Sequence, residues 1–339
     1  MIILSNCLAD VVDEGCLKVA NSLAERVKQV AHDTTVVSFH RRSRITDIYL
    51  EVNKLLLSKD LIRLIRERRE PILYIPFPTR SLPTAFRILF LSLISPQKVD
   101  VLLTMTRPYG TLSRLFLRLS RAHLFALSAE SARFYTKLVG EDRVTYLQAG
   151  VDLNRFALVS PERVAELKRK YGLDPDRKTV LHVGHMKAGR NIAALMHLNS
   201  HYQVLLIVST FTSSEQDCQL RRQLEKRENI KIIDSYIPNI EEIYQLADIY
   251  FFPVLESGNC IDVPLSCLEA AACGKPVITT CYGEMREFEG KDGFFLIDGI
   301  HPEELNNLVS HVTQTNGSHP RNAVLEYDWN HAVRKILKQ

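Results

Sequence analysis

The chain is predicted to be α/β, with two Rossmann-like, doubly wound parallel sheets in two domains, and three observations carry that prediction. Its 339 residues, 46% hydrophobic and 24% charged, exceed the size at which a single core usually divides. Short apolar runs alternate with helical patterns in both halves, the signature of parallel strands joined by crossover helices. A polar helical stretch, SPERVAELKRKYGLDPDRK, separates the two alternating halves. This composition does not suit disorder.

Taken in order, MIILSN contains a buried first strand. It is too short for a signal peptide and lacks the basic flank and small-residue cleavage site, so the protein is expected to be cytoplasmic. Gly15 to Val30 is an amphipathic helix and TTVVSF a strand. A helix is expected from about Tyr49 to Glu70, then the strand PILYIPF, a helix near 83–95 and the strand VDVLLTM. HLFALSAESARFYTKLVGEDRVTYLQAG reads as strand, helix and strand, closed by the turn GVDLNRF. In the second half KTVLHVGH, YQVLLIVST, NIKIIDSY, DIYFFPV and KPVITT supply five more strands. The expected domains are 1–157 and 158–325, with a C-terminal helix in 326–339 packing back toward the first. Ligands of such sheets bind beyond the carboxyl ends of the strands, which sets the expected site in the cleft between two facing sheets.

Composition also removes several classes of function. The seven cysteines, at 7, 16, 218, 260, 267, 273 and 281, form no C-x-x-C pair and have no histidine at metal-ligand spacing, so neither a disulfide framework nor a metal site is expected. Net charge is +4, divided as 23 Lys+Arg against 15 Asp+Glu in residues 1–157 and 20 against 24 thereafter. The basic half should face an anionic partner. No RNP, KH or helix-turn-helix pattern supports nucleic acid, and an anionic membrane surface or lipid-linked acceptor fits better. FRILFLSLI is about half the roughly 20 residues a membrane span needs. LSRLFLRLSRAHLF sets Arg114, Arg118 and Arg121 at helical spacing beside leucines and phenylalanines, which suits either a helix lying on anionic lipid or a core helix with a solvated basic stripe. His40, after TTVVSF, reads as structural or surface.

Two segments carry chemistry. In LHVGHMKAGRNIAAL a strand ends at Gly184 and a helix is expected from about Asn191, crowding His185, Lys187 and Arg190 into the turn. Cations beside the unpaired N–H groups of a helix start make a diphosphate cradle, although an ordinary strand-helix turn with surface charges would look the same. In ESGNCIDVPLSCLEAAACGKPVITT a strand ending near Val254 enters a Gly/Asn/Pro loop, a helix starts around Leu265, and Gly274, Lys275 and Pro276 stop it. Ser266 then lies in a first turn where its hydroxyl and the neighbouring amides can hold phosphate. Glu269, about one turn on, can accept hydrogen bonds from a ribose diol, or can merely favour the helix dipole.

These two elements, with ALSAESARFYTKLVGEDRVTYLQAGVDLNRF, resemble the retaining glycosyltransferases of the GT-B fold, glycosyltransferase family 4, over most of residues 125–281. The resemblance implies sugar transfer from a nucleoside-diphosphate sugar, with no cofactor and no metal. It implies that Glu269 is the second glutamate of the family's E-x7-E motif, which binds donor ribose. Arg190 stands where the family has its phosphate-binding lysine, His185 where it has arginine, and Gly15 in a loop approaching the donor phosphates. With Lys187 they form the catalytic set His185, Lys187, Arg190 and Glu269, and donor contacts fall on Gly15, Gly184, Asp262, Leu265, Ser266 and Glu269. The sequence departs from the motif at Ile261, where the first glutamate stands, with Asp262 adjacent, and at Pro264, where glycine is usual. No N-lobe histidine follows PFPTRS or TMTRPYG. A catalytically weak nucleotide-sugar-binding or partner subunit is therefore the rival reading. A third reading is a different enzyme on a similar scaffold, such as a sugar-nucleotide epimerase or a dinucleotide-dependent oxidoreductase, and the absence of a G-x-G-x-x-G after the first strand argues against the oxidoreductase.

Overall fold

A computed structural model describes residues 1–77, 81–106, 108–209, 217–256, 258, 260–314 and 317–338. The chain divides into two compact units, Met1–Ala149 with Trp329–Gln339, and Gly150–Asp328.

In unit 1 the order is β1 (Ile2–Ser5), α1 (Gly15–Val30), β2 (Thr35–Phe39), β3 (Ile48–Leu50), α2 (Lys59–Arg68), β4 (Ile72–Ile75), α3 (Ser81–Ile94), β5 (Val99–Leu103), α4 (Thr111–Leu119), β6 (His123–Ala126), α5 (Ala129–Val139) and β7 (Val144–Tyr146). The strands form one parallel sheet, β3-β2-β1-β4-β5-β6-β7. Strands buried on both faces need apolar residues at successive positions, and Ile2, Ile3, Leu4, Ile72, Leu73 and Tyr74 meet that need. The order reverses between β1 and β4, where the Ser5 hydroxyl donates to the Ile75 carbonyl at 2.8 Å and the Asn6 side chain accepts from the Phe77 amide at 2.8 Å.

Unit 2 contains α6 (Pro161–Lys170), β8 (Thr179–Gly184), β9 (Gln203–Val208), α7 (Cys218–Glu225), β10 (Ile230–Ile233), α8 (Ile240–Leu246), β11 (Ile249–Phe252), α9 (Leu265–Ala272), β12 (Val277–Thr280), β13 (Phe294–Ile297) and α10 (Pro302–Gln314). Its parallel sheet runs β10-β9-β8-β11-β12-β13, reversing between β8 and β11. Two buried clusters, one in each unit, supply separate cores. After unit 2 the chain returns to unit 1 as α11 (Trp329–Lys338), which packs on α1 and whose Lys335 ammonium donates to the Tyr146 carbonyl at 3.3 Å.

Four sequence expectations need correction. The helix from Tyr49 to Glu70 is instead the edge strand β3, a loop and the shorter α2, because the Asn53 carboxamide accepts from the Leu55 and Leu57 amides and Leu56 adopts a left-handed φ of 62°. Residues 150–157, read with the first half, group with unit 2, where the Arg321 guanidinium holds the Leu153 and Phe156 carbonyls at 2.9 and 2.7 Å and Arg155 pairs with Glu241 at 2.8 Å. The helix of LSRLFLRLSRAHLF stops at Leu119, since Ser120 is extended and β6 begins at His123, so Arg121 lies off the helix. The strand β13 was not anticipated. Among the described residues, no helix is long and apolar enough to cross a membrane.

Candidate functional site

The candidate residues of unit 2 gather at the carboxyl ends of β8 and β11, the reversal point at which open α/β sheets offer a ligand crevice. β8 ends at Gly184, and the turn beyond it is made of 3-10 segments, Ala188–Arg190 and Ile192–His197, rather than the α-helix expected from Asn191. Asn191 takes a left-handed φ of 54°, which breaks any continuous helix there. The cradle therefore draws on a tight turn and its side chains, not on the dipole of a long helix.

Within that turn His185 is half-buried, with Nδ1 3.1 Å from the Ser209 carbonyl, to which an Nδ1–H donates. Lys187 is exposed. Arg190 folds inward and is only 7% exposed, and its Nε makes no hydrogen bond. The guanidinium lies over Gly184: a Cβ at that position would come within 3.1 Å of both Arg190 Nη1 and His182 Nε2. A glycine here is what lets the guanidinium approach the strand.

His182 lies beneath this arrangement, two residues before Gly184 and hence on the same face of the strand. It is fully buried between the rings of Tyr250 and Phe252, at centroid distances of 6.4 Å to each. Its Nδ1–H donates to the Phe251 carbonyl at 2.8 Å, leaving Nε2 without a hydrogen-bond partner. Burial, and secondarily the nearby positive charge of Arg190, lower its pKa from 6.5 to about 4, so the imidazole is neutral at physiological pH. Sequence reading missed His182, although the two-residue spacing to Gly184 was the available signal.

From β11 the chain crosses the loop to α9. The Tyr282 hydroxyl donates to the Cys260 carbonyl at 2.7 Å and accepts from the Cys260 amide at 2.9 Å, clamping that loop to the exit of β12. A Cβ at Gly283, whose φ is 54°, would collide with the Asp262 carbonyl, which accepts from the Glu284 amide at 3.1 Å. Asp262 is half-buried, and burial first, with the charge of Asp262 further down, raises the Tyr282 phenol while Arg190 opposes the shift. Arg190 and Asp262 thus both act on one side chain. No sequence pattern pointed to Tyr282.

Leu265 is buried at the start of α9 and Ser266 half-buried in its first turn, close to the Tyr250 phenol whose hydroxyl donates to the Val183 carbonyl at 3.3 Å. Glu269 is 4% exposed, next to the phenols of Tyr244 and Tyr250, both raised well above the ordinary value mainly by burial and also by the Glu269 charge. Ile261, at the place of the missing first glutamate, is buried too. Gly15, by contrast, belongs to unit 1, where it opens α1. His40 is exposed, with φ of 63°.

The fold is that of the GT-B glycosyltransferases, an α/β architecture of two domains with parallel sheets of seven and six strands. Residues 177–314, which span β8 to α10, match the family model for Glycosyl transferases group 1. No curated protein sequence matches the chain. Similar solved structures include a glycosyltransferase from Rickettsia africae ESF-5, at TM-score 0.80 and 15% identity over 99% of this chain and 96% of that one. Anabaena Alr3699/HepE in complex with UDP-glucose gives TM-score 0.79 and 14% identity over 99% and 98%. A sucrose-phosphate synthase from Thermosynechococcus elongatus gives 0.74 and 15% over 99% and 97%.

Proposed function

We propose that the chain is a retaining glycosyltransferase that moves a sugar from a nucleoside-diphosphate sugar to an acceptor hydroxyl of a glycan, a lipid-linked saccharide or a cell-envelope saccharide, without a metal. The observation that carries this reading is the placement of His185, Arg190 and Ser266 around the reversal of the unit 2 sheet, inside the segment that matches the glycosyltransferase family model. The UDP-glucose complex of the Anabaena protein supports a donor of this chemical type.

In the proposed reaction the bond between the anomeric carbon and the diphosphate oxygen breaks, the acceptor oxygen bonds to that carbon, and the acceptor proton passes to the departing diphosphate oxygen. Negative charge builds on the departing diphosphate, so preorganised cations there lower the barrier most. Arg190, fixed over Gly184, is such a group, with His185, anchored through Nδ1, beside it and Lys187 at the solvent side of the turn. Ser266 and the first amides of α9 hold a phosphate oxygen, Asp262 and Leu265 border the same loop, and Glu269 takes the ribose hydroxyls. The second reading, a nucleotide-sugar-binding protein that turns over weakly, follows from the buried Ile261 at the place of the first motif glutamate.

A thermal-shift screen with nucleoside-diphosphate sugars, followed by donor hydrolysis with and without acceptors, separates the two readings. Binding raises Tm in both, whereas turnover stimulated by an acceptor belongs to the enzyme alone. Arg190→Ala should weaken donor binding or turnover by about 1.5–3 kcal/mol, the worth of a hydrogen bond to a charged group. A folded Arg190→Ala protein with unchanged kinetics removes this turn from the site.

A further inference from the structure

We propose that α3 and α4 of unit 1 form a docking face for an anionic lipid surface. This inference stands on unit 1 alone and does not depend on the sugar-transfer reading.

Among the described residues twelve large apolar side chains stand out as exposed, and five of them lie in these two helices: Leu82, Leu93, Leu112, Leu115 and Leu119. They share faces. On α3, Leu82, Phe86, Leu89 and Leu93 follow one another at helical spacing, opposite the buried Thr84, Ile88 and Leu91. On α4, Leu112, Leu115 and Leu119 form a second stripe, opposite the buried Ser113 and Leu117. Phe86 joins the stripes through an edge contact with Phe116, at 6.0 Å between ring centroids. An exposed apolar face continuous over two helices is uncommon on a soluble domain and marks a surface that something covers.

Charge identifies what covers it. Arg114 and Arg118 flank the α4 leucines, and Arg121 follows just beyond the helix; all three are exposed. Among the described residues none of the three forms an ion pair. Arg114 Nε donates to the Tyr109 carbonyl at 2.8 Å and Arg118 Nε to the Leu138 carbonyl at 3.1 Å, which fixes both guanidinium groups beside the leucines. Unit 1 as a whole carries 25 Lys+Arg against 14 Asp+Glu. A second copy related by a two-fold axis would bring the same arginines together, so self-association is disfavoured. A protein partner asks for about one hydrogen bond per 100–200 Å² of interface, and the exposed stripe of α3 offers no polar side chain between Leu82 and Leu93. Lipid needs no such bonds: leucines enter the acyl boundary while arginines meet headgroup phosphates.

The test is co-sedimentation of the full chain with vesicles of phosphatidylcholine alone or mixed with phosphatidylglycerol, at low and at physiological salt. Binding should appear with phosphatidylglycerol and weaken as salt rises. Replacing Arg118 and Arg121 by Ala should lower the partition coefficient about 30-fold, taking about 1 kcal/mol per cation near an anionic surface. Leu93→Ser should lower it on the order of tenfold, because burying a leucine contributes roughly 1.5–3 kcal/mol. Leu93 is 74% exposed, so folding is unaffected, and Leu158→Ser, at a 61% exposed leucine of unit 2, is the control that should change nothing. Indifference to lipid charge, or equal effects of the two leucine variants, overturns the proposal. A dimer that Leu93→Ser dissolves would assign the face to a second copy, and binding of polyglutamate but not of vesicles would assign it to an acidic protein.

Discussion

Acidification should destabilise unit 2 through His182, with a size set by the burial of a single ring. The imidazole has a pKa of about 4 in the folded chain against an ordinary 6.5. Because the folded value is depressed, the unfolded chain binds the extra proton first. Stability is therefore intact above pH 6.5, declines as pH falls, and levels off below the folded value. The full difference of about 2.5 pH units corresponds to about 3.4 kcal/mol, of which about 1.8 kcal/mol is lost between pH 7 and pH 5. For a unit of this size 1 kcal/mol moves Tm by about 2–4 °C, so the share of His182 is roughly 4–7 °C. The perturbation is His182→Asn, whose amide can still donate to the Phe251 carbonyl. Its Tm is lower at pH 7 because the ring no longer packs on Tyr250 and Phe252, so the informative quantity is the slope. Calorimetry of both proteins from pH 7 to pH 5 should show a flatter decline in the variant. The contribution of His123, also depressed by burial, is common to both proteins and cancels. Parallel slopes would refute the assignment of a neutral, buried His182.

Two further predictions concern the same site. Gly184→Ala should lower Tm only modestly, since its backbone tolerates a side chain and the neighbours need give by only a few tenths of an ångström, yet reduce kcat/KM about tenfold or more, because the methyl group would stand 3.1 Å from both the Arg190 guanidinium and the His182 ring; steady-state kinetics beside Tm check it. Glu269→Gln preserves shape and removes the charge, so it should raise the donor KM, leave acceptor affinity unaltered, and lower catalytic efficiency by about one to two orders of magnitude. A Glu269→Gln protein that melts earlier but turns over normally would make this buried carboxylate purely structural.

Much of the fold was legible because its strands are buried on both faces and so appear as unbroken apolar runs, from VLLIV in β9 to IYFF in β11. The failures have local causes. ITDIYLEVNKLLL carries apolar residues at helical spacing, and only the Asn53 turn and the left-handed Leu56 disclose that the chain bends there. β13 is four residues at a sheet edge, three of them half-buried, between Asp-Gly pairs that read as turns. For the site, strand ends told which segments converge, since Gly184 ends β8 and Val254 lies just past the neighbouring β11. The inward fold of Arg190 was not legible, because it depends on a glycine and a histidine that belong to the strand rather than to the turn. The Tyr282 clamp joins residues 22 positions apart and leaves no local pattern.

The return of the last helix to unit 1 bears on the order in which the molecule is made. Unit 2 is a continuous insertion, residues 150–328, whereas α1 of unit 1 is covered by α11, which lies beyond it in the chain. During synthesis domains usually fold as they emerge, the N-terminal one first. Here the whole sequence of unit 2 has been translated before Trp329 and Ile336, both buried in the finished protein, are added. The first-made unit is thus the last to close, and until it does the part of α1 that α11 covers stays open to solvent.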